Sequence, residues 1–507
     1  MRVVFWFLML STSLLALPSP SLIYSTLDPT SVPQHFAFYE LYSHTPEGKL
    51  ALKHAWSLLR GNQSQEDPDL IWPTLDVQPI IAFVNRSSQE KPIDLNEEQL
   101  AVIDKLGKHL GNRKLKGYGV WDLTSLLKLP SEEIDLARAL FLAERQKDET
   151  SLMKARSYEA SIDLMALQIL ARLAENATNE EKIRGINDYI FNEMRFRFPP
   201  HSLYAKDIDI YTLLPSVLDS RRGVCLGVSI LYLCLAQRLE LPLQAITPPG
   251  HIYVRYVGPD GEIINIETTA RGIDVPSEMY LGLETKKLQE RTIREVVGLA
   301  FMNQAAVSWH REDPKTAVEL YEQGQLFLPD DYLLSMFLGY NYLFIGEKAK
   351  AKKLLEKIQT MTPEHMISKD TVSEDFLQKR VDAEGIQAIY SEVDDSRTSI
   401  LKKQKRIADT LAKYPKFRQG HFHLAVTWLQ LGRYKEALPI LEHYIKLTPE
   451  DPSAHYYLAA IYAERLHYNQ AWTHLKAAEK IVREKNHEPR ALKDLRQNLE
   501  RACPEPL

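Results

Sequence analysis

Cysteine is scarce: Cys225, Cys234 and Cys503 are the whole complement of 507 residues. An odd count of three cannot make a disulfide framework, and the absence of any CxxC pair argues against a multi-cysteine zinc site. An excess of positive charge is missing too. The 62 Lys and Arg face 67 Asp and Glu, a formal net charge of −5, so global charge gives no support to a nucleic-acid binder. There is no P-loop and no GxGxxG, and no cofactor is expected. Glycine and proline, 21 and 28 residues, lie far below the level of a low-complexity chain. What remains is an ordinary globular balance, 45% hydrophobic and 25% charged, at a length that suggests roughly three domains.

Long apolar runs are absent after the first turns of the chain. Met1-Arg2 precedes Val3 to Leu17, broken only by Ser11, Thr12 and Ser13, and Pro18-Ser19-Pro20-Ser21 follows. One positive charge, a short apolar stretch and then small and turn residues predict an export signal over residues 1–25. The run is short for a membrane span. Cleavage and an uncleaved anchor are both open, so the expected location is periplasmic or secreted, with membrane contact only through this segment.

Three regions follow. Residues 26–115 read as a helical preface punctuated by prolines, with a helix opening near Asn96-Glu97-Glu98. Residues 116–295 are denser. Helical periodicity covers Asp135 to Leu142, Ile162 to Leu173, Tyr211 to Leu218 and Cys225 to Leu239, and Thr178 or Asn179 caps a further helix through Met194. After Pro242 come three short β-type runs, 243–246, 251–256 and 263–267, the last two joined by Gly258-Pro259-Asp260-Gly261. Helices followed by an antiparallel sheet predict an α+β domain.

Residues 298–485 repeat. Ala305 and Gly339, and again Ala425 and Ala459, are spaced by the same interval. Ala317, Ala351, Ala437 and Ala471 follow each in phase, then Tyr321, Leu355, Leu441 and Leu475, and Pro329, Pro363 and Pro449 close three units. The period is that of the tetratricopeptide (TPR) repeat, which the pattern resembles. A degenerate fifth unit ends at Pro415, and a charged insertion is expected around 364–395. Each unit is a helical hairpin that cannot bury its face alone, so neighbours stack into an all-α superhelix. Such arrays bind proteins, which implies a protein partner here. Residues 486–507 read as a tail.

The chemistry gathers in the middle region. Cys225 opens an apolar helix, where backbone N–H groups and the helix dipole favour a thiolate nucleophile. Pro249-Gly250-His251 opens a strand, and Glu267 lies on the next one. A turn centred near Pro259 sets His251 opposite Glu267, so that the carboxylate orients the imidazole and leaves its other nitrogen for the thiol. Cys234, amid Leu231, Leu233 and Leu235, reads as core, and Cys503 as a bystander.

Arg221-Arg222-Gly223-x-Cys225-Leu-Gly-x-Ser, then Leu231-Tyr232-Leu233 running to Leu243, then Pro249-Gly250-His251-x-x-Val-Arg255, resembles the bacterial transglutaminase-like core family in its SirB-like branch. The resemblance covers about residues 130–272. It implies a papain-like fold, with Cys225 matching the nucleophile, His251 the base and Glu267 the acid. The family more often places Asp at the third position, and Asn265 and Asp274 are the alternative stand-ins. Many members of the branch lack the cysteine and look like scaffolds. The resemblance thus implies a thiol hydrolase acting on a protein or peptide, or a transamidating relative, with a silent protein-binding scaffold as the alternative. The Cys225 backbone N–H is the one oxyanion donor the sequence offers.

Other patterns carry less. Asn62-Gln-Ser64, Asn85-Arg-Ser87 and Asn176-Ala-Thr178 match a glycosylation acceptor. His421, His423, His443, His455, His467 and His474 read as solvent-facing helix residues rather than metal ligands, and Lys402-Lys403-Gln-Lys405-Arg406 as a solvated helix face.

Overall fold

The computed structural model of the chain describes residues 19–61, 78–86, 94–144, 149–200, 204–394 and 396–505. The apolar run of the expected export signal lies outside the described residues. No helix among the described residues is long and apolar enough to cross a membrane.

The fold is mostly helical, with one small antiparallel sheet. Local signals set several helix starts. Reciprocal capping boxes, Asn96 with Gln99, Thr178 with Glu181 and Thr292 with Glu295, open Glu97–Leu106, Asn179–Asn187 and Ile293–His310. Each box gives partners to two N–H groups that a helix start leaves open. The second of these helices continues into a π-helical turn, Asp188–Glu193.

The sheet comprises β1 (Leu243–Thr247), β2 (Tyr253–Val257), β3 (Ile263–Glu267), β4 (Ile273–Asp274) and β5 (Gln289–Arg291), in the order β4-β3-β2-β1-β5. β4 and β5 add two edges to the three strands expected. At two and three residues, neither has an alternation to read. The β2–β3 hairpin pairs Val254 with Ile266 and Arg255 with Asn265. Its turn is centred on Asp260, with the Gly258 N–H donating to the Glu262 carbonyl at 2.8 Å. The pairing of His251 directly opposite Glu267 is therefore two residues out, and His251 precedes β2 rather than lying on it. A slip of two keeps every side chain on its face, so the two residues still meet as diagonal neighbours.

The Cys225–Arg238 helix lies against this sheet in one continuous core. Val32, Trp56, Ile103 and Leu110 belong to the same buried cluster as Leu231 and Val254. The boundary expected at 115/116 is thus no break in packing. Ions reinforce the join: buried Asp163 binds Arg238 at 2.6 Å, and it also binds Arg113 from the expected preface. Removing either partner would strand a buried charge.

From residue 293 onward the helices pair as hairpins. Ile293–His310 packs on Pro314–Phe327, Tyr332–Phe344 on Lys348–Thr360, and Ala383–Tyr390 on Arg397–Lys413. Arg418–Gln430 then packs on Tyr434–Leu447, and Pro452–Glu464 on Tyr468–Glu484. These are the stacked hairpins of a TPR array. Ala305, Ala425 and Ala459, the alanines twelve residues later, and Tyr321, Leu355, Leu441 and Leu475 are all fully buried. The degenerate unit is the third hairpin. The insertion holds the short helix Val372–Leu377, and Thr285 bridges to Met366 from the end of the sheet domain. Arg291 of β5 also reaches across, binding Asp331 at 3.0 Å.

Two expectations change here. Residues 490–502 are not a tail but a helix, Arg490–Ala502, whose Leu492 and Leu499 are buried. It covers the open end of the last hairpin, as a terminal repeat needs. Nor do all the repeat histidines face solvent. His455 is buried and its Nε2 lies 3.2 Å from the Pro449 carbonyl.

Candidate functional site

Two backbone bonds pin the approach to Cys225. The Gly223 N–H donates to the Arg197 carbonyl at 3.1 Å and the Val224 N–H to the Tyr211 carbonyl at 3.2 Å. Two residues into the helix, a Cβ on Gly227 would lie 2.3 Å from the Tyr211 carbonyl oxygen. Only glycine lets the helix seat so closely. Val224, the N-cap, donates no side-chain cap to the first turn. From Leu226 to Ala236 every residue is buried, while Cys225 itself stays half-buried. The helix start is therefore held by core and loop, with its sulfur at the surface of a packed body.

The opposite wall is the end of β3. Thr268, immediately after Glu267, shares a 3.0 Å hydrogen bond with Ser229 on the cysteine helix, and its hydroxyl also lies 3.5 Å from the Cys225 carbonyl. That stitch sets the strand end against the helix start. His251 comes from the β1–β2 connection, where its N–H donates to the Pro248 carbonyl at 3.2 Å. Its ring Nε2 is 2.6 Å from Glu267 Oε2. Nδ1 is then the nitrogen left free, and Cys225 is among the groups that favour the charged ring.

Glu267 is buried, and both of its oxygens are occupied. Oε2 accepts from His251 and from the Tyr280 hydroxyl, each at 2.6 Å. Oε1 accepts from the Thr269 N–H at 3.0 Å and the Thr269 hydroxyl at 2.6 Å. Burial alone would raise its pKa, but the hydrogen bonds from His251, Thr269 and Tyr280 outweigh that and lower it to about 2. For His251 the balance has the opposite sign. Burial disfavours the imidazolium, yet hydrogen bonds to Cys225 and Glu267 raise its pKa to about 10. Burial and the adjacent carboxylate keep the Tyr280 hydroxyl protonated and donating.

Cys225, His251 and Glu267 therefore converge in one place. Asn265 and Asp274, the alternative stand-ins for the third residue, are engaged elsewhere. Asn265 takes up Arg255 at 2.8 Å and the Val275 carbonyl at 2.7 Å, and Asp274 accepts the Asn265 N–H at 2.9 Å. Cys234 is fully buried, and burial pushes its thiol well above the usual range. The Cys503 carbonyl accepts from Trp472 at the far end of the chain. Tyr280, Thr268 and Thr269 are the members sequence reasoning missed. The two threonines follow Glu267 directly, which is the one signal available. Tyr280 sits in a short 3₁₀ turn, Ser277–Tyr280, with no periodicity to mark it. Its ring stacks on Tyr253 at 4.6 Å and on His251 at 5.8 Å.

A cleft of about 1140 Å³ lies elsewhere, between β5 and the first hairpins, with Arg291, Asp331 and Pro363 in its walls. None of the three converging residues lines it. Among the described residues no group of three or more His, Cys, Asp and Glu could hold a metal ion.

The family model of the transglutaminase-like superfamily matches residues 156–281, a span that includes the cysteine helix, His251, Glu267 and Tyr280. Residues 156–281 are a transglutaminase-like domain. Among curated proteins, F-box only protein 21 of Mus musculus is 22% identical over 219 residues, 38% of this chain and 34% of its own length. A UPF0162 protein of Xylella fastidiosa (strain 9a5c) is 24% identical over 140 residues, 28% of this chain and 48% of its own. The chain thus spans between a third and a half of the length of these relatives. Among solved structures, a thermophilic TPR protein of Thermus thermophilus is 15% identical, covering 40% of this chain and 98% of that one, with a TM-score of 0.20. In this chain the transglutaminase-like domain is joined to the hairpin array without a break, since the Ile293–His310 helix begins two residues after β5.

Proposed function

We propose that the transglutaminase-like domain catalyses thiol acyl transfer, hydrolysis first, on a protein or peptide. The observation behind this reading is the His251–Glu267 hydrogen bond, set beside the start of the cysteine helix by the Thr268 contacts with Ser229 and the Cys225 carbonyl. In the proposed reaction, the Cys225 sulfur attacks a substrate carbonyl while His251 stands beside it as imidazolium. An S–C bond forms, the scissile C–N bond breaks, and His251 gives its proton to the leaving amine. His251 then takes a proton from a water whose oxygen attacks the thioester carbon; the C–S bond breaks, the acid leaves, and the thiolate–imidazolium pair is restored. An incoming amine in place of water would give transamidation. The Cys225 N–H is the candidate donor to the oxyanion. Glu267 holds the imidazole in its working tautomer, with Tyr280 and Thr269 fixing the carboxylate.

The hairpin array is proposed to recruit a protein partner, and export is proposed from the apolar run at 3–17. The alternative is a scaffold in which the same three residues do no chemistry.

Competition labelling separates these. With iodoacetamide at neutral pH, Cys225 should alkylate before Cys503 and long before buried Cys234, as read by mass spectrometry, and His251→Ala should slow it sharply. A Cys225 that labels no faster than Cys503, and ignores the loss of His251, would favour the scaffold. Repeating the reaction with methyl methanethiosulfonate guards against a cysteine that is competent but hard to reach.

A further inference from the structure

The surroundings of Cys225 carry a charge opposite to that of the chain. Arg222 lies three residues before the cysteine and Arg271 four after Glu267. Arg197 forms an isolated parallel bridge with Arg222, and its N–H donates to the Arg221 carbonyl at 3.0 Å. Arg195 completes the group: it and Arg271 are the charged neighbours that bear on the Arg197 guanidinium. Arg195, Arg197, Arg222 and Arg271 are all exposed.

None of the four has a carboxylate partner among the described residues. Among the described residues the Arg197 guanidinium donates to the carbonyls of Phe191 and Phe196, each at 2.7 Å. The chain has 67 acidic residues against 62 basic ones, and some of its arginines are ion-paired, as Arg496 is with Glu479, Glu500 and Glu505. Four exposed arginines on adjoining segments, none with a carboxylate partner among the described residues, therefore form a local inversion of charge. Arg195 and Arg271 adopt left-handed φ of 57° and 61°, a region L-residues seldom occupy. Phe198 and Ile273, 47% and 56% exposed, add apolar surface to the same two segments.

We infer that these arginines form a rim that binds an acidic stretch of the peptide or protein whose acyl group is delivered to Cys225. The inference rests on the acyl-transfer reading of the site. Planar guanidinium groups donate bidentately to carboxylates, and a cluster of one sign raises the local concentration of an oppositely charged ligand. A polyanion such as nucleic acid would meet the same charge, but its backbone has no acyl carbon for a thiol to attack. An acidic peptide is therefore the occupant the site favours.

The test uses the full chain and a fluorescein-labelled peptide of alternating glutamate and glycine. Anisotropy should report binding at low salt that fades between about 50 and 500 mM salt. Arg195→Gln/Arg222→Gln/Arg271→Gln should weaken binding by about tenfold, given modest gains per exposed charge pair. The same triple change to Lys should restore the salt-dependent part of it but not the bidentate contacts. The unlabelled peptide should also slow iodoacetamide alkylation of Cys225 in the wild type and not in the Gln variant. If the triple Gln variant fails to fold, Arg222→Gln and Arg271→Gln singly should each cost about twofold. Equal peptide affinity in wild type and the Gln variants would overturn the rim. So would an oligonucleotide of matched charge that binds as tightly and protects Cys225 as well. A Cys225 that never alkylates would overturn the acyl-transfer reading instead, while the anisotropy still decides the rim.

Discussion

Tyr280 and His251 share one acceptor: both bind Glu267 Oε2, each at 2.6 Å. The tyrosine therefore fixes the carboxylate from the side the histidine leaves open, and its ring stacks near the imidazole at 5.8 Å. Tyr280→Phe keeps the ring and removes the donor. Glu267 would then lose one of the hydrogen bonds holding it at about 2, and its pKa should rise. A carboxyl depressed in the folded state gives stability that is present above its unfolded value of 4.5 and lost as pH falls through the folded value. The variant should lose about 1 kcal/mol at neutral pH, and its acid unfolding should begin at higher pH. Urea midpoints measured from pH 2 to 7 would show both, and superimposable curves would refute the positioning role.

Glu267→Gln tests the same link from the other end. His251 stands at about 10 partly because Glu267 faces it. A neutral amide should let that value fall toward 6.5, which the His251 Cε1–H resonance would follow directly. The two groups act on stability over opposite ranges. The raised histidine contributes fully below 6.5 and ceases to contribute as pH rises through about 10. The depressed glutamate contributes above 4.5 and fades toward about 2. Wild type should therefore exceed the variant most between 4.5 and 6.5, with the gap closing at both ends. A gap that never closes on either side of that window would mean the pair is not charged.

Much of this was legible before the fold. Cys225 opens a helix, Glu267 closes β3, and His251 lies in the connection just before β2, positions where turn and cap chemistry are strongest in sequence. The Gly258-Pro259-Asp260-Gly261 turn announces a hairpin, but whether it centres on Pro259 or Asp260 depends on backbone twist that the residue types do not encode. The error of two residues did no harm because the face was preserved. Tyr280 was not legible, since it acts from a loop and its partners are distant in the chain. Nor was the union of residues 26–115 with the rest of the core. Amphipathic helices declare that a face is buried, not what buries it, and the pairing of Arg113 and Arg238 on Asp163 has no local signature. The C-terminal helix shows the same limit in reverse: Leu492, Leu495 and Leu499 lie on one helical face, but charge on the other residues masks it.

Gly339 marks a close approach in the second hairpin. A Cβ there would lie 2.8 Å from Leu355 Cδ2 and 3.3 Å from its Cγ, and Leu355 is itself fully buried. Gly339→Leu must push this contact apart, at about 1–3 kcal/mol. A lower melting temperature is expected, with Gly339→Ala falling between. An unchanged melting temperature for the leucine variant would refute the tight crossing.

The turns within the hairpins offer a gain rather than a loss. Glu312, Gly346, Gly432 and Leu466 occupy equivalent positions in four units, and all are left-handed, with φ of 62°, 86°, 66° and 62°. Two units use glycine, which adopts that conformation without steric cost. Leu466 carries a penalty of about 1–2 kcal/mol for its Cβ there, yet it is 71% exposed and so recovers little by burial. Its N–H already donates to the Ala463 carbonyl at 3.0 Å, a bond that does not depend on the side chain. Leu466→Gly should therefore stabilise the array, by about 0.5–1 kcal/mol once the added freedom of the unfolded glycine is set against the relieved strain. Leu466→Asn should give a smaller gain, because asparagine tolerates this region better than leucine. Gly432→Leu should show the opposite sign, since it installs at one turn the strain removed at the other. Urea midpoints for the three variants form an ordered series, Gly above Asn above wild type for position 466, with the 432 variant below. If Leu466→Gly lowered the midpoint instead, the exposed leucine would have to be making a packing contact that outweighs its backbone strain.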